Sequence, residues 1–305
     1  MNDEKFCITT PELGLVCITH GDEVRFKALT RKRLLQFDEA RQREMLRELY
    51  NENLTRLGKA VEYLAANNIK LYRLSSALFP FADEPFGLGV LHEFEAKLRA
   101  TGDLAISKSI RFVVHPDQYV VLSSDSEIVI ENSFKILRMH ANILDLLNQP
   151  RSEWATMNVH GGKANRSDKL VESIALLPDE IRSRIALEND EYAYSASEIY
   201  EVCKRANVRM VFDAHHHVVQ KGLESYDDES VAEMFWAARE TWENPDFQLV
   251  HISNGRERFT DRSHSDVIWD MPPVFRNANW IEIEAKHKEI AINRLRDNWL
   301  ASIKG

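Results

Sequence analysis

Cysteine is scarce in this chain: Cys7, Cys17 and Cys203 are the whole complement in 305 residues, an odd number with no C-x-x-C pair. That argues against a disulfide framework and suits a reducing, cytoplasmic setting. Glycine (11) and proline (9) are few, and no linker or low-complexity tract breaks the chain. No apolar run reaches the roughly 18 residues a membrane span needs, and Met1-Asn2-Asp3-Glu4-Lys5 does not open like a secretory leader, so neither membrane nor export is expected. Positive charge is also short, with Lys+Arg 39 against Asp+Glu 48 and a net charge of -9. A protein that coats nucleic acid through a general basic field is thereby disfavoured; a local basic surface, or an acidic pocket neutralised by metal cations, is not. What the chain does have is 44% hydrophobic and 29% charged residues, the makings of a large packed core.

Short β-branched runs ending in polar residues alternate with longer helical patterns, the rhythm of βαβ units around a parallel sheet. Strands are predicted at Phe6–Val16, Ile69–Ser75, Ile110–His115, Ala155–His160, Ile185–Glu188, Val208–Phe212, Phe247–His251 and Trp280–Ile283. Helices are predicted at Arg33–Ala65, Leu91–Ala100, Glu127–Leu147, Asp168–Leu177, Ser197–Ala206, Val231–Trp242 and Lys286–Ser302. Eight strands with intervening helices, and no G-x-G-x-x-G after an early strand, predict an α/β fold of the (β/α)8 TIM-barrel type, one domain over residues 1–305. The connection Ser253–Asn279 is long for a compact domain, so it is either functional or misassigned.

Ligands of a parallel barrel collect at the C-terminal strand ends, and here those ends share one chemistry. Strand three ends in His115-Pro116-Asp117-Gln118-Tyr119, strand four in Asn158-Val159-His160-Gly161-Gly162-Lys163 and strand five in Leu187-Glu188-Asn189-Asp190. Strand six ends in Asp213-Ala214-His215-His216-His217, strand seven in His251-Ile252-Ser253-Asn254 and strand eight in Glu282-Ile283-Glu284-Ala285-Lys286. One histidine alone reads as a hydrogen-bonded core residue; imidazoles and carboxylates converging on one mouth read as a polynuclear site for Zn²⁺, Mn²⁺ or Fe²⁺. Asp213 and His216 can both reach a common pocket because their strand is ending there. Glu282 and Glu284 share a face, and Glu284 is preferred because it lies nearer the mouth. Gln118-Tyr119 suits wedging into or stacking on bases, against the plain reading of a turn after Pro116. The arginines Arg256, Arg258, Arg262 and Arg276 of the long loop suit phosphate binding, against the plain reading of a solvated charged loop.

Taken together with Tyr72-Arg73-Leu74-Ser75-Ser76 on strand two, these motifs resemble the UV damage endonucleases, metal-dependent single-domain barrels related in architecture to the endonuclease IV class. The resemblance implies up to three divalent ions, manganese first, with zinc, magnesium or cobalt as alternatives. It implies His115, His160, Glu188, Asp213, His216, His251, His264 and Glu284 as ligands, with Glu188 bridging, so that Glu188, Asp213 and Glu284 act in catalysis through bound metals. It makes Gln118 and Tyr119 the probing loop, with Arg73, Lys163 and Arg256 as further DNA contacts. The implied reaction is metal-dependent hydrolysis that nicks damaged double-stranded DNA immediately 5′ to a UV photoproduct, with the lesion flipped out and no protein nucleophile. Three departures from the family pattern stand at Leu15, where a tyrosine is expected, at Glu84, where a histidine is, and at Leu249, where a lysine is. An abasic-site endonuclease, a metal-dependent sugar isomerase of the same barrel class and a non-catalytic DNA-damage-binding protein remain as alternatives.

Overall fold

The computed structural model describes residues 10–116 and 119–303. The apolar runs become eight parallel strands: β1 (Glu12–Val16), β2 (Leu71–Leu74), β3 (Arg111–Val114), β4 (Met157–His160), β5 (Ile185–Glu188), β6 (Arg209–Asp213), β7 (Leu249–Ile252) and β8 (Trp280–Ile283). They form a closed barrel in sequence order, and β1 meets β8 in the register Glu12↔Trp280 to Leu15↔Ile283. Both faces of these strands are covered, which is why they read as continuous apolar runs rather than alternating ones. Among the described residues no helix is long and apolar enough to cross a membrane. The first predicted strand survives as its C-terminal half, with its first residues, 6–9, outside the described ones.

The helices lie where their apolar spacing places them, with boundaries set by caps. In Glu39–Ala66, Leu46, Tyr50, Leu54, Leu57, Val61 and Leu64 recur every three or four residues and bury one stripe on the barrel. Asp38 caps that helix, its carboxylate accepting the Arg41 N–H at 2.9 Å, so the predicted single helix 33–65 is split from a short turn at Arg31–Leu34. The predicted helix 91–100 is likewise two, Pro85–His92 and Glu95–Ser107. A helix absent from the prediction, Ala214–Lys221, begins directly after β6. The long connection 253–279 contains no strand or α-helix, only a 3-10 turn at Pro273–Asn277. It is ordered by Asn254, whose side-chain oxygen accepts from Trp269 N (2.8 Å) and Asp270 N (3.0 Å) while Nδ2 donates to the Asp270 carbonyl (3.1 Å).

Inside the barrel the N-terminal half is apolar. Leu71, Val113, Ala186, Val211 and Leu249 pack together over Trp242, Phe247 and Trp280. Beneath them Arg111 is fully buried, donating to the carbonyls of Trp154, Phe247 and Glu153 at 2.7, 3.0 and 2.9 Å. Four rings, those of Trp154, Trp242, Phe247 and Trp280, surround its guanidinium at 5.2 to 6.0 Å. Burial draws its pKa down to about 9, still well above neutrality, so the floor is a boxed cation and the barrel is closed at this end. The cluster of imidazoles and carboxylates lies at the opposite, C-terminal mouth.

Candidate metal centre

Glu188 is the last residue of β5 and is buried at the centre of the mouth. Register sets its neighbours: it pairs with His160 on β4, while Asp213 on β6 pairs with His251 on β7 and His251 with Glu282 on β8. One Glu188 oxygen, Oε2, lies 3.2 Å from Nε2 of His115; the other, Oε1, lies 3.0 Å from Nδ1 of His251 and 3.6 Å from Nδ1 of His216. The rings of His115, His160 and His216 follow one another at centroid separations of 5.1 and 5.7 Å. On the far side Glu284 approaches His251 Nδ1 at 3.5 Å and His264 Nδ1 at 3.9 Å.

The helix after β6 explains how one strand end serves this centre. Asp213 is its N-cap: Oδ1 accepts the His216 N–H at 2.7 Å, which leaves Oδ2 facing the mouth. His216 Nδ1 lies 2.9 Å from the Asn189 carbonyl, so an Nδ1–H donated there frees Nε2, which is 3.7 Å from Glu191. Its neighbours turn elsewhere: His215 contacts the Tyr226 hydroxyl (3.1 Å) and the Asp261 carbonyl (2.8 Å), and His217 the Ser230 hydroxyl (3.0 Å).

Among the described residues three sets of donor atoms lie close enough to hold a cation, each within 4.8 Å: His115, His160 and Glu188; Glu188, Asp213 and His216; Glu188, His251 and Glu284. Glu188 belongs to all three. His160 Nδ1 and Asp213 Oδ2 are buried without a hydrogen-bond partner, and Glu188 Oε2, equally buried, has His115 Nε2 at 3.2 Å. Buried polar atoms of this kind are costly unless something fills the space between them. Nitrogen and carboxylate donors with that unmet demand fit divalent transition ions.

Electrostatics agree. Burial pushes the Glu188 carboxyl up, but His251 and His160 outweigh it and hold it well below the usual range. Burial lowers His216, yet Asp213, Glu188 and Glu191 raise it on balance to about 9. His160 is shifted down, by burial first and then by His115 and His216, against the pull of Glu188. The pocket attracts positive charge, which protons or metal cations can supply.

The structure thus brings together seven of the eight expected ligands and sets His264 at the edge, held by the bridge Gly255↔His264. Tyr119 is 69% exposed, and Lys163 and Arg256 are exposed after β4 and β7; Gln118 lies outside the described residues. Arg73, expected as a DNA contact, is only 7% exposed, with its guanidinium beneath the mouth on Glu282 and Glu284, because β2 directs it into the barrel. Glu191, one position past the Glu188-Asn189-Asp190 run, is not singled out by the sequence, and Glu282, set behind Glu284 there, proves to contact His251. At the three departures, Leu15 sits in the core between barrel and helices, Leu249 in the apolar interior, and Glu84 pairs with Arg31.

Residues 11–305 match the protein family described as UV-endonuclease UvdE. The chain is 53% identical over 292 residues to the UV DNA damage endonuclease of Nostoc sp. (strain PCC 7120), covering 95% of this chain and 91% of that protein. The crystal structure of SacUVDE aligns with a TM-score of 0.79 at 24% identity, over 94% of this chain and 98% of that one. A D-tagatose 3-epimerase-like protein aligns at 0.57 with 14% identity, over 80% and 92%. At those identities the two structures speak for the fold.

Proposed function

The chain belongs to the UV-endonuclease UvdE family, and on that premise we propose that it is a DNA repair endonuclease nicking damaged duplex DNA immediately 5′ to UV photoproducts by metal-dependent hydrolysis. The observation that carries the chemistry is the meeting of three donor sets at Glu188. Up to three divalent ions, manganese first, are the cofactor this set suits; zinc, magnesium and cobalt are the alternatives. One barrel domain over residues 1–305 carries the activity, in the cytoplasm beside the chromosome.

Divalent cations, when bound, supply Lewis acidity to a phosphodiester and a nucleophile from water near neutral pH. The protein's part is placement. Glu188 presents one oxygen toward His115 and the other toward His216 and His251, the arrangement of a bridging carboxylate. Asp213, pinned by the His216 amide, holds its free oxygen toward the same space, and Glu284 closes the third set beside His251, with His264 behind it. No side chain is needed as nucleophile. Lys163 and Arg256 stand exposed after β4 and β7, suited to phosphates, and the exposed ring of Tyr119 suits a flat wedge. A damaged dinucleotide stacks and pairs poorly, so extruding it costs less than extruding an intact one, and selectivity follows without reading sequence.

The test is a plasmid assay. Supercoiled DNA, irradiated or not, is incubated with the purified chain in Mn²⁺, in chelator, and in chelator followed by excess Mn²⁺. Nicking confined to irradiated DNA, lost on chelation and regained with Mn²⁺, is expected. Nicking of neither plasmid would sink the endonuclease reading, and cleavage that persists in chelator would sink its mechanism. Preference for an abasic plasmid would favour the closest rival, and lesion binding without nicking a non-catalytic role. The likeness to sugar epimerases extends to the barrel alone and leaves the Tyr119 loop without a task.

A further inference from the structure

Glu282 belongs to none of the three donor sets, yet it is fully buried one layer below them. On β8 it faces the barrel interior with Glu284, while Ile281 and Ile283 pack in the core between barrel and helices. Its register partner on β7 is His251, and its Oε2 is in close contact with His251 Nε2. Its partner on β1 is Gly14, whose lack of a side chain lets Leu71 pack against that strand: a Cβ there would stand 2.6 Å from the Leu71 side chain. Arg73 reaches across β1 and meets Glu282 bidentately, Nε at 2.9 Å and Nη2 at 2.6 Å. The same Nη2 donates to Glu284 Oε1 at 2.6 Å.

Around His251 the consequence is directional. Nε2 has one anionic acceptor, Glu282, and lies 3.1 Å from Arg73 Nη2 and 3.3 Å from Asn158 Nδ2, both hydrogen-bond donors. A proton on Nε2 donated to Glu282 is therefore the arrangement that suits this end of the ring. Nδ1 is then the lone-pair nitrogen; Arg73 Nη2 stands 3.3 Å from it as well, and it faces oxygens of Glu188 (3.0 Å) and Glu284 (3.5 Å), which together with Nδ1 make the third donor set.

The geometry points to Glu282 as a positioning residue: its carboxylate orients His251 as a donor to the third cation set, and with Arg73 as a fixed cation it holds Glu284 in place. This rests on the metal-centre reading above. Partners of this kind behind a ligating histidine typically contribute about 10- to 100-fold in metal affinity.

Manganese binding to the full chain, titrated calorimetrically and checked by metal analysis, tests it. Glu282→Gln keeps the volume and removes the anion; one cation is expected to bind about 10- to 100-fold more weakly, while those held by His115, His160 and Glu188 and by Asp213, His216 and Glu188 shift far less. Wild-type affinity at every site in a folded Glu282→Gln variant overturns the proposal. So does equal weakening of all sites together with a lowered melting temperature of the metal-free protein, which would mark a merely structural role. Should Glu282→Gln leave Arg73 unpaired and fail to fold, Arg73→Met with Glu282→Met removes the ion pair as a unit; loss of one site is again expected, and wild-type binding again overturns the idea. If the wild type itself takes up no manganese, the metal-centre reading fails first.

Discussion

Three consecutive histidines show how far residue identity alone underdetermines chemistry. His215, His216 and His217 follow one carboxylate, and a helix turns each by about 100° from the last, so they cannot share a target. His216 reaches Glu188 and Asp213; His215 holds the Asp261 carbonyl of the long loop and the Tyr226 hydroxyl. The two substitutions are accordingly expected to part. His216→Ala should lose one bound cation and at least about 100-fold in kcat. His215→Ala should keep the full metal content and instead leave the Asp261 carbonyl short of a partner, while the Tyr226 hydroxyl keeps Ser253 and Asn254, costing about 1 kcal/mol of stability. Metal analysis with thermal melting separates them; metal loss in His215→Ala would overturn the division of labour.

At the scale of elements, the short helix Ala214–Lys221 carries both the chemistry and a titration. Burial, with Lys221 nearby, pulls the His217 pKa down to about 4, whereas an unfolded histidine titrates near about 6.5. Between those values the unfolded chain takes a proton that the folded chain refuses, so stability falls as pH drops through that window and is fully present above it. The shift corresponds to about 3 kcal/mol at most. Denaturant midpoints at pH 7 and pH 5 should therefore move further apart in the wild type than in His217→Gln, and identical separations would refute the assignment. This helix also marks the limit of legibility. The strands could be read because barrel strands are continuous apolar runs, and their ends because acids and imidazoles stand there. Ala214–Lys221 could not, since His-His-His-Val-Val is poor helix-forming sequence; the Asp213 cap starts it and Gly222, at φ 65°, ends it. The surroundings of Arg73 were hidden for a related reason: its position at a strand end is legible, but its pairing with Glu282 exists only once β8 closes on β1. Nor could the loop 253–279 be resolved by periodicity, because its order comes from single polar contacts, those of the Asn254 carboxamide, of His215 with the Asp261 carbonyl and of the bridge Gly255↔His264.

At the scale of the whole molecule, the barrel divides stability from chemistry along its axis. The N-terminal half is sealed by Arg111 in its aromatic box and by an apolar interior, which leaves the mouth free to carry unmet polar demand. The net charge of -9 belongs to the same division. Glu188, Asp213, Glu282 and Glu284 are gathered at the end proposed to face DNA, offset among the described residues by Arg73 and the histidines. A phosphate backbone approaching that mouth without metals meets buried carboxylates. With three divalent ions the formal charge rises from -9 to about -3, and the added charge lies where the DNA lands. Cation removal should therefore weaken binding as well as cleavage. Fluorescence anisotropy on an irradiated duplex with a non-hydrolysable linkage 5′ to the lesion isolates the effect: chelation is expected to raise Kd by about 10-fold or more at fixed ionic strength. The steepness of the salt dependence should change less, because Lys163 and Arg256 stay in place on the rim. A Kd indifferent to chelation would mean that the rim residues alone hold the duplex and that the metals serve only the bond being broken.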